Sequence, residues 1–113
     1  MNSIEGVVQH QLEAYNARDL ARFVAVYSDD IRLYRLPATA PALVGKAALA
    51  GMYATQRFKR PGLHAELLNR MVIGNKVIDH ERISGVRDQP FEVAAAYEVI
   101  DGLIRTAWFF SAE

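Results

Sequence analysis

Cysteine is absent from this chain of 113 residues. Disulfides, thiolate nucleophiles and thiolate metal sites are therefore excluded together. Long apolar runs are also missing, so no segment is long enough to span a bilayer. The first residues lack the basic and apolar regions of a signal peptide. We therefore expect a soluble, cytoplasmic protein.

An excess of charge of either sign is missing as well, because 13 Lys and Arg side chains balance 13 Asp and Glu side chains. A nucleic-acid-binding protein usually carries a basic surface, since phosphate contacts dominate its affinity. Runs of like charge, which would favour a membrane surface, are absent too. We expect neither nucleic acid nor membrane as a partner, and the near-zero net charge leaves self-association open.

What is present is an ordinary globular composition, with 51% apolar and 23% charged residues. The length fits one domain, which we assign to residues 1–113. Apolar side chains recur at a spacing of three to four over residues 4–15, which predicts an amphipathic helix. Two more helices are predicted over residues 20–27, where Asp19 is a suitable cap, and over residues 46–59.

The second half of the chain alternates apolar and polar side chains in a way that is typical of antiparallel strands. Gly74-Asn75 and Asp101-Gly102 favour two-residue hairpin turns. Asp29-Asp30 is predicted to be a turn before the first strand. The predicted strands cover residues 31–36, 63–73, 76–84, 91–100 and 103–111. Helices gathered on one face of such a sheet define an α+β fold.

Two segments carry a resemblance to a known superfamily. Asn16-Ala17-Arg18-Asp19-Leu20, followed by Ser28-Asp29-Asp30, resembles the opening of ketosteroid isomerases and SnoaL-like polyketide cyclases, which are nuclear transport factor 2-like proteins. The closing segment Tyr97-Glu98-Val99-Ile100-Asp101-Gly102-Leu103-Ile104 resembles the penultimate hairpin of the same superfamily. The resemblance implies three N-terminal helices packed on a curved, mixed or antiparallel sheet, a cone-shaped, cystatin-like roll around an apolar pocket. It also implies a homodimer formed through the sheet.

The catalytic residues of ketosteroid isomerase do not carry across to this chain. That enzyme uses a Tyr and a protonated Asp as an oxyanion hole, and a second Asp as the base. The corresponding positions fall on Gln11 for the Tyr, Arg35 or Leu36 for the base, and Val93 for the oxyanion Asp. We therefore expect no isomerase chemistry by that mechanism, and the function stays open because this fold hosts many activities.

Candidate functional residues cluster in the hairpin of residues 63–84. A two-residue turn at Gly74-Asn75 fixes the cross-strand partners by counting. The predicted pairs are Ile73 with Lys76, Met71 with Ile78, Asn69 with His80, Leu67 with Arg82, Arg70 with Asp79 and Leu68 with Glu81. The face that carries His80 and Asn69 is the more apolar one, so we predict that it points inward. Arg70 and Asp79 would then form a surface ion pair.

A half-buried histidine can titrate near neutral pH, so His80 is a candidate general base, with Asn69 orienting it or the substrate. The alternative is a structural histidine hydrogen-bonded to Asn69 in the core. A slip of one residue would reverse the two faces and bring Asp79 and Glu81 inward. Two carboxylates inside a pocket would suggest acid–base chemistry with split pKa values.

Arg35 and a set of aromatic residues are the other candidates. A cation at Arg35 would bind a carboxylate or enolate of a substrate, or stabilise an oxyanion. The alternative is an arginine at the rim that is paired with an acid. Aromatic side chains would line the pocket, with ordinary core packing as the alternative. The residues assigned to the ligand pocket are Tyr15, Tyr34, Tyr53, Tyr97 and Trp108, together with the acids Asp79 and Glu81.

No cofactor and no metal are expected, because the three histidines lie in different elements and no phosphate-binding glycine loop is present. The sequence leaves two functions open. One is a small isomerase, cyclase or hydratase that acts on a small, apolar, carbonyl-bearing molecule through His80 and through Arg35 or Tyr15. The other is a non-catalytic ligand-binding or dimerisation module of the same fold.

Overall fold

A computed structural model describes residues 3–111 of the chain. Its three helices are α1 (Ile4–Ala17), α2 (Leu20–Ala25) and α3 (Lys46–Gln56). Its strands are β1 (Tyr27–Arg35), β2 (Leu43–Val44), β3 (His64–Ile73), β4 (Lys76–Ser84), β5 (Phe91–Ile100) and β6 (Leu103–Ser111). None of the helices described is long and apolar enough to cross a membrane.

The six strands form one sheet in the order β2-β1-β6-β5-β4-β3. β1 runs parallel to β6, and every other neighbouring pair is antiparallel, so the sheet is mixed. The helices cover one face of this curved sheet, and the core lies between the two layers. The predicted α+β architecture is therefore confirmed.

In the segment that joins α1 to α2, Asn16, Arg18 and Asp19 each have a structural role. Arg18 adopts a left-handed conformation with φ 54°, which ends α1, and the Asp19 carboxylate accepts a hydrogen bond from the Arg22 backbone N–H to begin α2. The Asn16 side chain makes two hydrogen bonds to the backbone of Ala65, of 2.8 and 3.0 Å. Asn16 thereby ties the end of α1 to the edge strand β3.

Both predicted hairpin turns are present. Gly74 has a φ of 59° between β3 and β4, and Asp101 and Gly102 have φ values of 53° and 79° between β5 and β6. A two-residue turn between twisted strands needs a positive φ either at both central residues, as at Asp101-Gly102, or at a glycine in the first position, as at Gly74. These turns fix the pairing of the residues beside them.

The start of the sheet differs from the sequence prediction. α2 ends at Ala25, and Asp29-Asp30 is not a turn but part of β1, which begins at Tyr27. Tyr27 already pairs with Ile104, and the register then shifts before Arg32. A strand that carries such an irregularity accommodates extra residues without leaving the sheet, which local turn propensity does not reveal.

A second irregularity corrects the predicted faces of the β3–β4 hairpin. The pairs from Ile73–Lys76 to Asn69–His80 form as predicted, but the register shifts at Leu68, so Leu67 pairs with Glu81 rather than with Arg82. The extra residue reverses the alternation of faces along β3. Leu63 and Ala65 point inward on one side of the bulge, whereas Met71 and Ile73, on the other side, point outward. The inward face of β4 is therefore the polar one that carries Asp79 and Glu81.

Candidate functional site

A cavity of about 280 Å³ lies between the inner face of the sheet and the helices α1 and α3. The apolar residues that line it include Leu12, Ile83, Val86, Phe91, Val93 and Phe109. Its polar groups come from different elements: Gln11 and Tyr15 from α1, Tyr53 from α3, Glu81 from β4 and Tyr97 from β5. The predicted pocket is therefore present, but it is more polar than expected.

Among the described residues that line this cavity, Glu81 is the one with an acidic side chain. Its side chain is buried, and within residues 3–111 it makes no hydrogen bond or ion pair with protein. Burial, reinforced by the nearby charge of Asp79, raises the pKa of Glu81 to about 8, from an ordinary value of 4.5. Glu81 can therefore exchange its proton near neutral pH while it faces the space a ligand would fill.

Four buried tyrosines are affected by the charge of this carboxyl group. Burial raises the pKa of each phenol, and the charge of Glu81 raises it further for all four: Tyr15, Tyr27, Tyr53 and Tyr97. For Tyr53 the pKa reaches about 12. All four phenols therefore stay protonated around neutral pH, so the ones that line the cavity are hydrogen-bond donors.

Gln11 adds an acceptor that has no partner. Its side-chain oxygen Oε1 is buried, and no hydrogen-bond donor of the described residues reaches it. An unsatisfied buried acceptor costs about 1–3 kcal/mol, so such groups are rare in native structures. Because Gln11 lines the cavity, a ligand with a hydroxyl or N–H group would satisfy it.

Arginines occupy the rim of the cavity. Arg35 ends β1, and Arg57 follows α3, where its guanidinium donates a 3.4 Å hydrogen bond to the Tyr15 hydroxyl. Arg87, on the loop before β5, also lines the cavity, and its guanidinium lies 3.9 Å from the centre of the Phe91 ring. The opening of the cavity is therefore cationic.

Asp79 points inward but does not line the cavity, which corrects its assignment to the pocket. Arg70 binds it with two hydrogen bonds, of 2.7 and 2.9 Å, and the Asp79 side chain is 0% exposed. Arg70 also donates a hydrogen bond to Gln9 on α1. The pair is therefore a buried link between sheet and helix, not the surface ion pair that the sequence predicted.

His80 and Asn69 face each other as predicted, but on the outer face of the sheet. The His80 side chain is 49% exposed, contacts Glu92, and is not among the residues that line the cavity. The prediction that both point inward is wrong. It counted Met71 and Ile73 on the same face as Leu63 and Ala65, but the bulge at Leu68 places these two pairs on opposite faces of the sheet. Within the described structure, His80 has no access to a ligand in the cavity.

Tyr34 and Trp108 also lie on the outer face and do not line the cavity. They are partners in neighbouring strands, with stacked rings whose centroids lie 6.4 Å apart. The assignment of these two residues to the pocket is therefore wrong, since each alternates away from inward neighbours such as Leu33 and Ala107. By contrast, Tyr15, Tyr53, Tyr97, Arg35 and Glu81 do line the cavity.

The positions that correspond to the isomerase residues come together, although the residues differ. Gln11, Arg35, Leu36 and Val93 all line the cavity. The sequence correspondence thus identified positions that line the cavity, but the residues at these positions cannot perform the isomerase chemistry. Arg57 was missed altogether, and Arg70 was predicted only as a member of a surface ion pair. Arg57 had one usable signal, because it follows Tyr53 by four residues and so extends the same helical face. No three His, Asp or Glu side chains converge as metal ligands within residues 3–111.

Solved structures share this fold. A protein from Kribbella flavida that is provisionally named a ketosteroid isomerase superposes with a TM-score of 0.83 at 17% identity, over 97% of this chain and 78% of that one. A SnoaL-like protein of unknown function from Burkholderia thailandensis gives 0.80 at 18% identity, over 97% and 95%. A de novo designed protein with a curved β-sheet gives 0.77 at 17% identity, over 96% and 84%. No curated protein matches the chain at a significant level.

At such low identities these likenesses show the fold alone, which other solved structures carry under the names NTF2-like and cystatin-like. The model of the SnoaL-like domain matches residues 8–107, which is most of the chain. The chain belongs to the SnoaL-like domain family.

Proposed function

We propose that this protein is a small enzyme that moves a proton on an apolar, carbonyl-bearing molecule, with Glu81 as the residue that carries the proton. The observation that carries the proposal is a buried carboxyl group that lines a cavity and has no protein partner within residues 3–111. A structural carboxyl group in such a place would be hydrogen-bonded or paired.

The chemistry follows from the groups around Glu81. In its ionised form Glu81 takes a proton from the carbon next to the carbonyl group, and the bond electrons shift onto the carbonyl oxygen. Phenols such as Tyr15 and Tyr97, which keep their protons, are suited to donate hydrogen bonds to that oxygen. The proton on Glu81 then returns to the same or another carbon, so the carboxyl group is restored. A base whose pKa lies near the working pH is efficient in both steps.

The competing function is a binding module without turnover. Such a module would satisfy its own polar groups inside the pocket. The unpaired Oε1 of Gln11 and the unpaired carboxyl group of Glu81 favour a site that waits for a ligand. Binding without turnover is thus one outcome of the test below.

Hydrogen–deuterium exchange at carbon tests the proposal without knowledge of the natural substrate. The wild-type protein is incubated in D2O with 1-tetralone, 2-tetralone and their ring-carboxylated derivatives, and loss of the proton next to the carbonyl group is followed by NMR. We expect faster exchange than in buffer, and a loss of about 100-fold or more of that acceleration in Glu81→Gln. His80→Gln, on the outer face, is the matched control and should keep full activity.

The pH profile provides a second readout. If Glu81 is the base, exchange by the wild-type protein rises as the pH approaches about 8, the pKa of Glu81, and then levels off. Equal exchange by wild type and Glu81→Gln across the whole panel would overturn the enzymatic proposal. Probes that bind but do not exchange their protons would support the competing function, a binding module without turnover.

We also propose that two copies of the chain pair through the outer face of the sheet. Five outward residues stand opposite one another in one row across five strands: Tyr34, Trp108, Ala96, Ile78 and Met71. An apolar row of this kind on a surface supports an interface. Ala96→Arg at its centre should convert a dimer into a monomer in light scattering, whereas Arg105→Ala, elsewhere on the surface, should not. A wild-type protein that is monomeric at high concentration would exclude the pairing.

A further inference from the structure

Two guanidinium groups that line the cavity lack an ion-pair partner within residues 3–111, in contrast to four arginines elsewhere in the chain. Arg22, Arg70, Arg82 and Arg105 each lie within ion-pair distance of a carboxylate. Arg35 and Arg57 have no such partner within residues 3–111. Glu81, the acid that lines the same cavity, contacts neither of them as an ion pair. The charges of Arg35 and Arg57 are therefore not neutralised by an ion pair within the described part of the protein.

Both guanidinium groups act at the same part of the cavity. The charges of Arg57 and Arg35 both lower the pKa of Tyr53, although burial of this phenol has the larger, opposite effect. Arg57 is oriented by its hydrogen bond to the Tyr15 hydroxyl, and Arg35 is placed by the last position of β1. One ligand group beside Tyr53 would thus be within the field of both arginines.

We propose that the natural ligand is a compact apolar carboxylic acid, whose carboxylate is bound by Arg35 and Arg57 at the rim while its apolar body fills the cavity. The inference deepens the proposed function, because it names the chemical class of the molecule on which Glu81 would act. The inference rests on the proposed function only because both place the ligand in the same cavity.

The arrangement of charge supports a carboxylate at the rim and a carbonyl or hydroxyl group inside. Arg35 is exposed, so a carboxylate bound there keeps part of its hydration and needs only one or two charge-assisted hydrogen bonds. Glu81 lies deeper and holds its proton below about pH 8, so it does not repel an anion at neutral pH. An ammonium ligand would meet the same cationic rim unfavourably.

The size of the cavity narrows the class further. Ligand pockets usually measure about 300–1,000 Å³. A cavity of about 280 Å³ lies just below this range and suits one or two rings, not a long chain. The apolar walls formed by residues such as Ile83, Val93 and Phe109 match a hydrocarbon body.

Isothermal titration with a matched pair of probes tests the inference directly. Naphthalene-2-carboxylate and naphthalene-2-carboxamide have nearly the same shape and differ in charge; cyclohexanecarboxylate and phenylacetate, each with its amide, extend the panel. We expect at least one acid to bind the wild-type protein about tenfold or more tightly than its amide. Arg35→Gln and Arg57→Gln should each weaken the acid about tenfold and change the amide less than twofold.

Arg32→Gln is the matched control, because Arg32 lies on the same strand as Arg35 but on the opposite, exposed face. It should leave the affinity for the acid unchanged. Circular dichroism would show that each variant is folded, and Arg35→Lys, which keeps the charge, should recover part of the affinity.

Several results would overturn the inference: equal binding of acid and amide, equal weakening of both by the arginine variants, or no binding by any acid of the panel. The two proposals fail separately. If Glu81→Gln and wild type bind the acid equally and neither exchanges protons, the enzymatic proposal fails and the carboxylate site stands. If ketones exchange through Glu81 and acids show no preference, only the carboxylate site fails.

Discussion

Asp79 and Glu81 lie two residues apart on the inward face of β4, and only Asp79 has a cationic partner within the described residues. Arg70 forms two hydrogen bonds with Asp79, whereas Glu81 faces the cavity without one. Two buried acids on the same strand and the same face therefore differ in their partners: Asp79 is ion-paired and Glu81 is not. The difference leads to distinct predictions for stability.

Glu81 should make the protein less stable as the pH rises. Its pKa is raised from 4.5 to about 8 in the folded state, so the folded protein holds a proton that the unfolded chain releases. The stabilisation is complete below the unfolded pKa and is lost as the pH rises through the folded pKa, with a slope of up to about 1.4 kcal/mol per pH unit. Urea unfolding at pH 5.5 and 7.5 should show this loss in wild type and a much flatter profile in Glu81→Gln. Parallel profiles would contradict the buried state of Glu81.

Removing Arg70 from the buried ion pair should destabilise the protein more than neutralising Asp79. Arg70→Met leaves the Asp79 carboxylate buried and unpaired, and should lower the free energy of unfolding by about 3–5 kcal/mol. Asp79→Asn should cost less, because Arg70 keeps its hydrogen bond to Gln9 and the nearby charge of Glu5. Chemical denaturation measures both.

The matched control lies on the same hairpin. Arg82 and Glu66 form an exposed pair, so Arg82→Met should change the free energy of unfolding by no more than about 1 kcal/mol. A cost for Arg70→Met no larger than that for Arg82→Met would show that the Arg70–Asp79 pair is not buried in solution.

Asn16 should stabilise the protein by holding β3. Asn16→Ala removes both hydrogen bonds to Ala65 and leaves its partly buried N–H and carbonyl groups without their partners, which should cost about 1–3 kcal/mol. Asn16→Asp can still accept from the N–H but cannot donate to the carbonyl group, so its thermal stability should be intermediate or lower. Asn75→Ala, in an exposed turn, serves as control. Similar melting temperatures for all three variants would exclude this role.

Three glycines should respond differently to alanine. At Gly85, with φ 86°, a Cβ atom would lie 2.3 Å from the backbone carbonyl carbon of Gly62, so Gly85→Ala should disrupt the loop that carries Val86 and Arg87. Gly74→Ala meets no neighbour but keeps a positive φ of 59°, and should cost about 1 kcal/mol. Gly51→Ala in α3 meets nothing and should stabilise by about 0.4–1 kcal/mol. Melting temperatures in any other order would contradict this account.

Local features that depend on neighbours in the sequence were predictable. The helices, the turns at Gly74-Asn75 and Asp101-Gly102, and the cross-strand pairs nearest to them follow from periodicity and turn chemistry, which act over a few residues. The same holds for the Asp19 cap of α2, but not for the contact of Asn16 with Ala65, which lies 49 residues away. That residues 1–113 form one domain and pair as a homodimer stays a prediction.

The sequence by itself determined the α+β class, the order of the main elements and the family. The tertiary structure decided which face of β4 points inward. The bulge at Leu68 reverses the alternation of β3, and α1 supplies Gln9 to Arg70, which makes a buried position acceptable for Asp79. Hydrophobic alternation along a strand has a period of two, so a single added residue exchanges the two faces. For that physical reason His80 was predicted to be the central residue of the pocket, and the structure gives that place to Glu81.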